Sequence, residues 1–159
     1  MNPFSGCTKI QYAYFGELTT VAADTLSGET HMSRIDLPKC TTINAKAFSG
    51  CEDLTYISIP HCTKIGENAF KNCTNLSVIY LPKCANIGKN AFLNCTSLEY
   101  VYLLNNDKAT VDATAFNGCT NLEKIYVRSG LNYDNRFTPI NEPYTEDHLY
   151  IDEENNIAG

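Results

Sequence analysis

The chain has 159 residues, 43% hydrophobic and 19% charged, which is enough apolar material for one core or one elongated array and too much for a disordered segment. A formal charge of −6 leaves no Lys/Arg stripe to neutralise phosphates, so nucleic acid is not an expected partner. No apolar run approaches the roughly 18 residues of a membrane span, so direct membrane insertion is not expected, and the first residues lack the basic start and apolar stretch of a signal peptide.

The organising signal is a repeat. Cysteines stand at 40, 51, 62, 73, 84 and 95, a constant spacing of eleven, while Ala-Phe recurs at Ala47-Phe48, Ala69-Phe70, Ala91-Phe92 and Ala115-Phe116. The period is therefore 22, with one step of 24, and two classes of cysteine alternate within it. In chain order the units begin at Phe4, Leu26, Phe48, Phe70, Phe92 and Phe116, the last being half a unit. The first unit continues with Ile10, Ala13 and Phe15. The second departs from the pattern, with Thr25 in the Ala place, Leu26 for Phe and Glu29 for Cys, which predicts looser packing there. The two extra residues of the long step fall within 104–110 and are expected to bulge from the stack.

The fourth unit shows how each one works. Leu76, Ile79 and Leu81 are apolar, and Ser77-Val78-Ile79-Tyr80-Leu81 is a β-branched and aromatic segment that Pro82 ends by removing a ladder N–H. Gly88 follows, with Asn44, Gly66 and Asp112 at the equivalent place, residue types that suit a turn of positive φ. Ala91-Phe92 then brings a small residue and a ring inward. There is no room for an α-helix beside a strand and two turns; a short 3₁₀ or helical turn around Ala-Phe is the most the length allows. One unit has nothing to bury its apolar side chains against. Stacked at about 4.8 Å, neighbours share a parallel sheet and a continuous interior.

The stretch Cys73-Thr74-Asn75-Leu76-Ser77-Val78-Ile79-Tyr80-Leu81-Pro82, followed by Ile87-Gly88-Lys89-Asn90-Ala91-Phe92-Leu93-Asn94-Cys95, resembles the BspA-like leucine-rich repeat, also called the Treponema-type repeat. The resemblance runs from about residue 2 to residue 127. It implies a leucine-rich-repeat solenoid, a right-handed curved coil with a parallel β-sheet on the concave face, mostly β and turns. It also implies a bacterial or protist protein of the cell surface or secreted, of a kind often engaged in adhesion to host proteins. Residues 1–127 are read as the array and 128–159 as an acidic tail. Because the chain opens in mid-unit, it is expected to be a fragment of a longer protein or to have its first coil covered by a neighbour.

The side chains offer little chemistry for catalysis. His31, His61 and His148 lie in different units or in the tail, and no phosphate loop or hydrolase motif is present, so no catalytic residue and no cofactor is assigned. Zinc needs ligands converging in one small site, whereas a spacing of eleven puts successive cysteines on different corners of a coil; no metal is expected. Cysteines of one class stack close enough for a disulfide by distance alone, but their side chains point in parallel. They read instead as a ladder of small apolar groups filling a corner. The sequons at Asn72, Asn75 and Asn94 fall in the repeat's own turn, where asparagine bonds backbone groups.

The informative surface is the outer side of the strands. The positions flanking the middle apolar residue read Tyr12, Arg34, Tyr56, Val78, Tyr100, Lys124 in one column and Tyr14, Asp36, Ser58, Tyr80, Tyr102, Tyr126 in the other. Seven of the ten tyrosines thus share one face. Tyrosine gives wide amphipathic contact at low entropic cost, as a binding surface needs; it also simply favours strands and stacks across them. Tyr80, Tyr100, Tyr102 and Tyr126 form the densest patch. Two functions are compatible with this: a protein-binding or adhesion module, its ligand a host extracellular or surface protein or a glycan, and a structural spacer with no ligand of its own.

The tail carries seven acidic and two basic residues. It reads either as a cap on the last coil, through Leu131, Phe137, Ile140 and Tyr144, or as a linker. A strand is expected at 148–151 and disorder from residue 152 onward.

Overall fold

A computed structural model describes Phe4 and residues 6–140. The strand at 148–151, the contact from Tyr144 and the disorder expected from residue 152 lie outside the described residues.

Each coil contributes one strand to a front sheet and one to a back sheet. The front strands are β1 (Tyr12–Tyr14), β3 (Arg34–Asp36), β5 (Tyr56–Ser58), β7 (Val78–Leu81), β9 (Tyr100–Leu103) and β11 (Lys124–Arg128), followed by β12 (Phe137–Ile140). The back strands are the two-residue β2 (Thr20–Val21), β4 (Thr42–Ile43), β6 (Lys64–Ile65), β8 (Asn86–Ile87) and β10 (Thr110–Val111). Every pairing is parallel, and all but that of β11 with β12 follow the sequence period, as in Ala13↔Ile35↔Ile57 and Ile79↔Val101↔Ile125. The back sheet is one continuous ladder of five strands, but the front sheet is cut in two, β1-β3-β5 and β7-β9-β11-β12.

The third side of each coil holds the Ala-Phe turn. The short helical turn that the sequence permits there does not form; no helix of any kind occurs among the described residues. Instead N–H groups alternate in destination. Those of Ala47, Ser49 and Cys51 close turns onto Asn44, Lys46 and Phe48, while those of Lys46, Phe48 and Gly50 donate to Glu67, Ala69 and Lys71 of the next coil at 2.9, 2.8 and 2.7 Å. A 3₁₀ turn would spend consecutive donors locally, whereas this arrangement leaves every second one for the neighbour. Aiming donors this way requires positive φ at Asp24, Lys46, Asn68 and Asn90, and again at Gly28, Gly50, Asn72, Asn94 and Gly118.

Gly66 and Gly88 are not in that left-handed region, contrary to the expectation for their turn. Their reason is proximity. A Cβ on Gly66 would lie 2.7 Å from Ala45 N and 2.8 Å from Asn44 C, and one on Gly88 would lie 3.0 Å from Glu67 N. Glycine there lets one coil's backbone rest against the next.

The interior is a set of columns. Phe48, Phe70, Phe92 and Phe116 stack with ring centroids 5.2, 5.2 and 5.3 Å apart, and Leu26 is buried in the unit before Phe48. The second unit is not loose: Leu26, Met32, Ile35 and Leu37 are all buried, and so is Glu29 in the Cys place. Within 104–110, Leu104 and Ala109 stay inside while Asn106, Asp107 and Lys108 stand exposed, which is the bulge that two extra residues require.

The cysteines are more than small apolar fillers. Cys51, Cys73, Cys95 and Cys119 each donate to a carbonyl one coil back, of Leu26, Phe48, Phe70 and Phe92, at 3.0–3.1 Å. Cys40, Cys62 and Cys84 each donate two residues onward, to Thr42, Lys64 and Asn86, at 3.4 Å. Burial pushes the Cys51, Cys62 and Cys84 thiols up to about 12, so these groups stay neutral. All eight described cysteines are free thiols.

After β11 the period breaks. β12 pairs in parallel with β11, Ile125 opposite Phe137, so the chain returns to the front in 12 residues instead of 22 or 24. Phe137 is buried, and Tyr133 stacks on it at 4.5 Å while its hydroxyl accepts from Ala109 N. The shortcut adds a last strand to the front sheet, and among the described residues no further coil follows on the third side.

Candidate functional site on the front sheet

The front sheet places the seven tyrosines in two unlike settings. On β1, β3 and β5 the surface is ionic. Tyr12 donates to Asp36 Oδ2 at 2.8 Å, and Arg34 reaches the same oxygen at 3.3 Å. The Arg34 guanidinium lies 5.8 Å from the centre of the Tyr12 ring and 4.9 Å from that of Tyr56. The hydrogen bond to Asp36 raises the Tyr12 phenol above its ordinary value, burial and the carboxylate charge adding to it. Asp36 Oδ1 is buried without a partner. Tyr12 and Tyr14 are 53% and 63% exposed, but Tyr56 is only 8% exposed. The outward position expected for Tyr56 is thus covered, since the Arg34 head group lies over its ring.

On β7, β9 and β11 the surface is aromatic. Tyr80, Tyr102 and Tyr126 are half-buried and stack with centroids 4.8 Å apart at each step, the spacing of the strands that carry them. Tyr100 lies 6.3 Å from Tyr126 and donates to Glu123 Oε2 at 2.9 Å, a bond that raises its phenol. Lys124 lies 5.9 Å from the Tyr126 ring. Tyr102 has a ring on each face, so this column presents edges and hydroxyls outward rather than free faces.

A cavity of about 210 Å³, lined by Arg34, Thr55, Tyr56, Ser77 and Val78, opens where β5 and β7 fail to pair. No feature of the repeat marks it, because both strands match the pattern. A larger cavity, about 410 Å³, lies between the last Ala-Phe turn and the segment that leads into β12, lined among others by Phe116, Cys119, Leu122, Ile125, Arg136 and Thr138. The sequons have structural work: Asn94 Nδ2 donates to Asn72 Oδ1 at 3.1 Å and Asn75 Nδ2 to Glu52 O at 2.8 Å.

Parallel strands at a 22-residue period around stacked rings define a leucine-rich-repeat solenoid, its front sheet on the concave side. The chain belongs to the BspA type leucine-rich repeat family, whose profile matches residues 1–61 and 41–138 in six copies. Solved structures agree with the fold. A leucine-rich repeat protein of Treponema pallidum has a TM-score of 0.69 at 26% identity, over 74% of this chain and 58% of that one. A leucine-rich cell surface protein of Faecalibacterium prausnitzii A2-165 has a TM-score of 0.69 at 22% identity, over 77% and 33%. One from Bacteroides ovatus ATCC 8483 has 0.56 at 26%, over 73% and 37%. The chain therefore spans between a third and three-fifths of the length of these proteins. No curated protein matches it.

Proposed function

We propose that the chain is a non-catalytic protein-binding module of a bacterial cell-surface or secreted protein, and that it binds through the tyrosines of its front sheet. The observation that carries this reading is the half-buried patch of Tyr80, Tyr100, Tyr102 and Tyr126, with Lys124 at its edge. Amphipathic rings already ordered by stacking lose little further freedom on binding. The stacking also favours a protein over a glycan. Sugar rings lie on free aromatic faces, and both faces of Tyr102 are taken. Tyr12 and Tyr14 extend the surface at the other end of the sheet, and Tyr56 serves it by supporting Arg34.

The test is to present the immobilised chain with a panel of purified host extracellular and surface proteins and a glycan array. Saturable binding to a protein, weakened at least about tenfold by the Tyr100→Ala/Tyr102→Ala pair while far-ultraviolet circular dichroism is unchanged, is the expected result. Failure to bind any member of the panel, or binding indifferent to that pair, favours the spacer.

A further inference from the structure

Asn117-Gly118 is the one Asn-Gly pair in the sequence. It stands in the last Ala-Phe turn, at the place that Ser27-Gly28, Ser49-Gly50, Lys71-Asn72 and Leu93-Asn94 fill in the turns before it. In each of those the second residue's N–H is committed. Gly28, Gly50, Asn72 and Asn94 donate to Ser49, Lys71, Leu93 and Asn117 of the following coil at 2.7, 2.7, 2.8 and 2.9 Å. Gly118 repeats their left-handed backbone, with a φ of 74°, but its N–H has no acceptor among the described residues. Asn117 and Gly118 are both exposed.

Three properties coincide at this peptide bond. Its nitrogen is held by no hydrogen bond, the residue that carries it has no side chain to shield it, and water reaches both partners. At every other asparagine the following residue has a side chain, and in the turns its N–H is also spent. The N–H groups after Asn68, Asn72, Asn90 and Asn94 go to the carbonyls of Gly66, Phe70, Gly88 and Phe92 at 3.1–3.3 Å.

We propose that Asn117 deamidates spontaneously in the folded protein, at a modification site that the same dipeptide would not make in an interior turn. Gly118 N attacks Asn117 Cγ. The new N–C bond closes a five-membered succinimide, the bond from Cγ to the side-chain nitrogen breaks, and that nitrogen leaves as ammonia with the proton that Gly118 gives up. Water then opens the ring at one of its two carbonyl carbons. Opening at Cγ leaves aspartate on the ordinary backbone; opening at the main-chain carbonyl leaves isoaspartate, with the chain running through the former side chain. Nothing is oxidised or reduced.

Either product adds a negative charge to a residue that lines the cavity of about 410 Å³ together with Glu123, Lys124 and Arg136. Lys124 is the cation at the edge of the tyrosine patch. Isoaspartate also lengthens the backbone by one carbon inside the turn whose carbonyl accepts from Asn94 N.

The experiment holds the full chain, folded and in urea, in mildly alkaline buffer and follows peptide maps with isoaspartyl methyltransferase labelling. The folded chain should gain about 1 Da as aspartate and isoaspartate form at position 117, before any other asparagine changes. Asn117→Ser, which installs the residue that the turn holds at Ser27 and Ser49, should abolish that gain. Ser49→Asn creates a second Asn-Gly pair in an interior turn, where Lys71 O holds the Gly50 N–H. In urea the two pairs should convert at similar rates, whereas in the folded protein Asn117 should convert at least about tenfold faster than the introduced pair. Should that variant fail to fold, hydrogen exchange in the unaltered chain gives the answer, with the Gly118 amide exchanging fast and those of Gly28 and Gly50 slowly. Asn117 staying intact in the folded chain, another asparagine converting first, the introduced pair keeping pace with Asn117, or Gly118 protected as Gly50 is, overturns the proposal.

Discussion

The two halves of the front sheet share one backbone and carry two different surfaces. β1, β3 and β5 hold an arginine between two tyrosine rings and a carboxylate that ties a phenol down. β7, β9 and β11 hold a column of rings stacked on one another. Beneath both the interior is continuous and apolar: phenylalanines lie 5.2–5.3 Å apart from Phe48 onward, and in the unit before it Leu26 takes the ring's place and Glu29 the thiol's. The difference shows that in a repeat the inward positions are held by their neighbours above and below, while the outward ones are free to diverge. Ionic and aromatic patches can therefore be set side by side without disturbing the core.

The largest expected effect tests the shared interior. Phe48→Ala and Phe92→Ala, one column position in different halves, should each cost about 3–5 kcal/mol in denaturant unfolding. A cost confined to one of them would break the claim of a uniform core. Next comes Gly66→Ala, where the new Cβ meets backbone atoms at 2.7 and 2.8 Å that no side-chain rotation can relieve. About 1–3 kcal/mol of destabilisation is expected, read as a lower melting temperature. Tyr102→Ala should cost less, about 0.5–1.5 kcal/mol beyond its buried area, but should collapse the near-ultraviolet dichroism of the stack. Tyr14→Ala, at an exposed ring, should leave that signal intact.

The smallest effect sharpens the comparison by pH. Both halves tie one phenol to a carboxylate, Tyr12 to Asp36 and Tyr100 to Glu123, and both phenols are raised. A raised phenol favours the neutral form in the fold, so its contribution is complete below the ordinary tyrosine value near 10 and is lost as pH climbs through the folded value. In ultraviolet titration, Tyr12→Phe and Tyr100→Phe should each remove a late-titrating phenol.

The period of 22 made the coil, the inward phenylalanines and the tyrosine columns legible, because a position facing inward in one unit must do so in the next. What could not be read depends on neighbours rather than on period. Tyr56 occupies the same place as Tyr12 and Tyr100, yet it is buried by the arginine of the adjoining strand. Lys46 takes positive φ with no glycine or asparagine to signal it, since the demand comes from where its N–H must point. Gly66 and Gly88 advertise a turn and instead mark a close approach of two backbones. The return to the front at β12 lies outside the repeat altogether, and Tyr133, whose hydroxyl accepts from Ala109 N, has no counterpart in the other units.

The gap between β5 and β7 gives the molecule a spine and two leaves. The ladder from β6 to β8 behind it, and the bond from Phe70 N to Ala91 O at its side, run through unbroken. No strand pairing crosses the front sheet at that line, whereas one does at every other coil boundary of the array. The ionic leaf and the tyrosine leaf are therefore joined through the back and the side of the array rather than through the face itself.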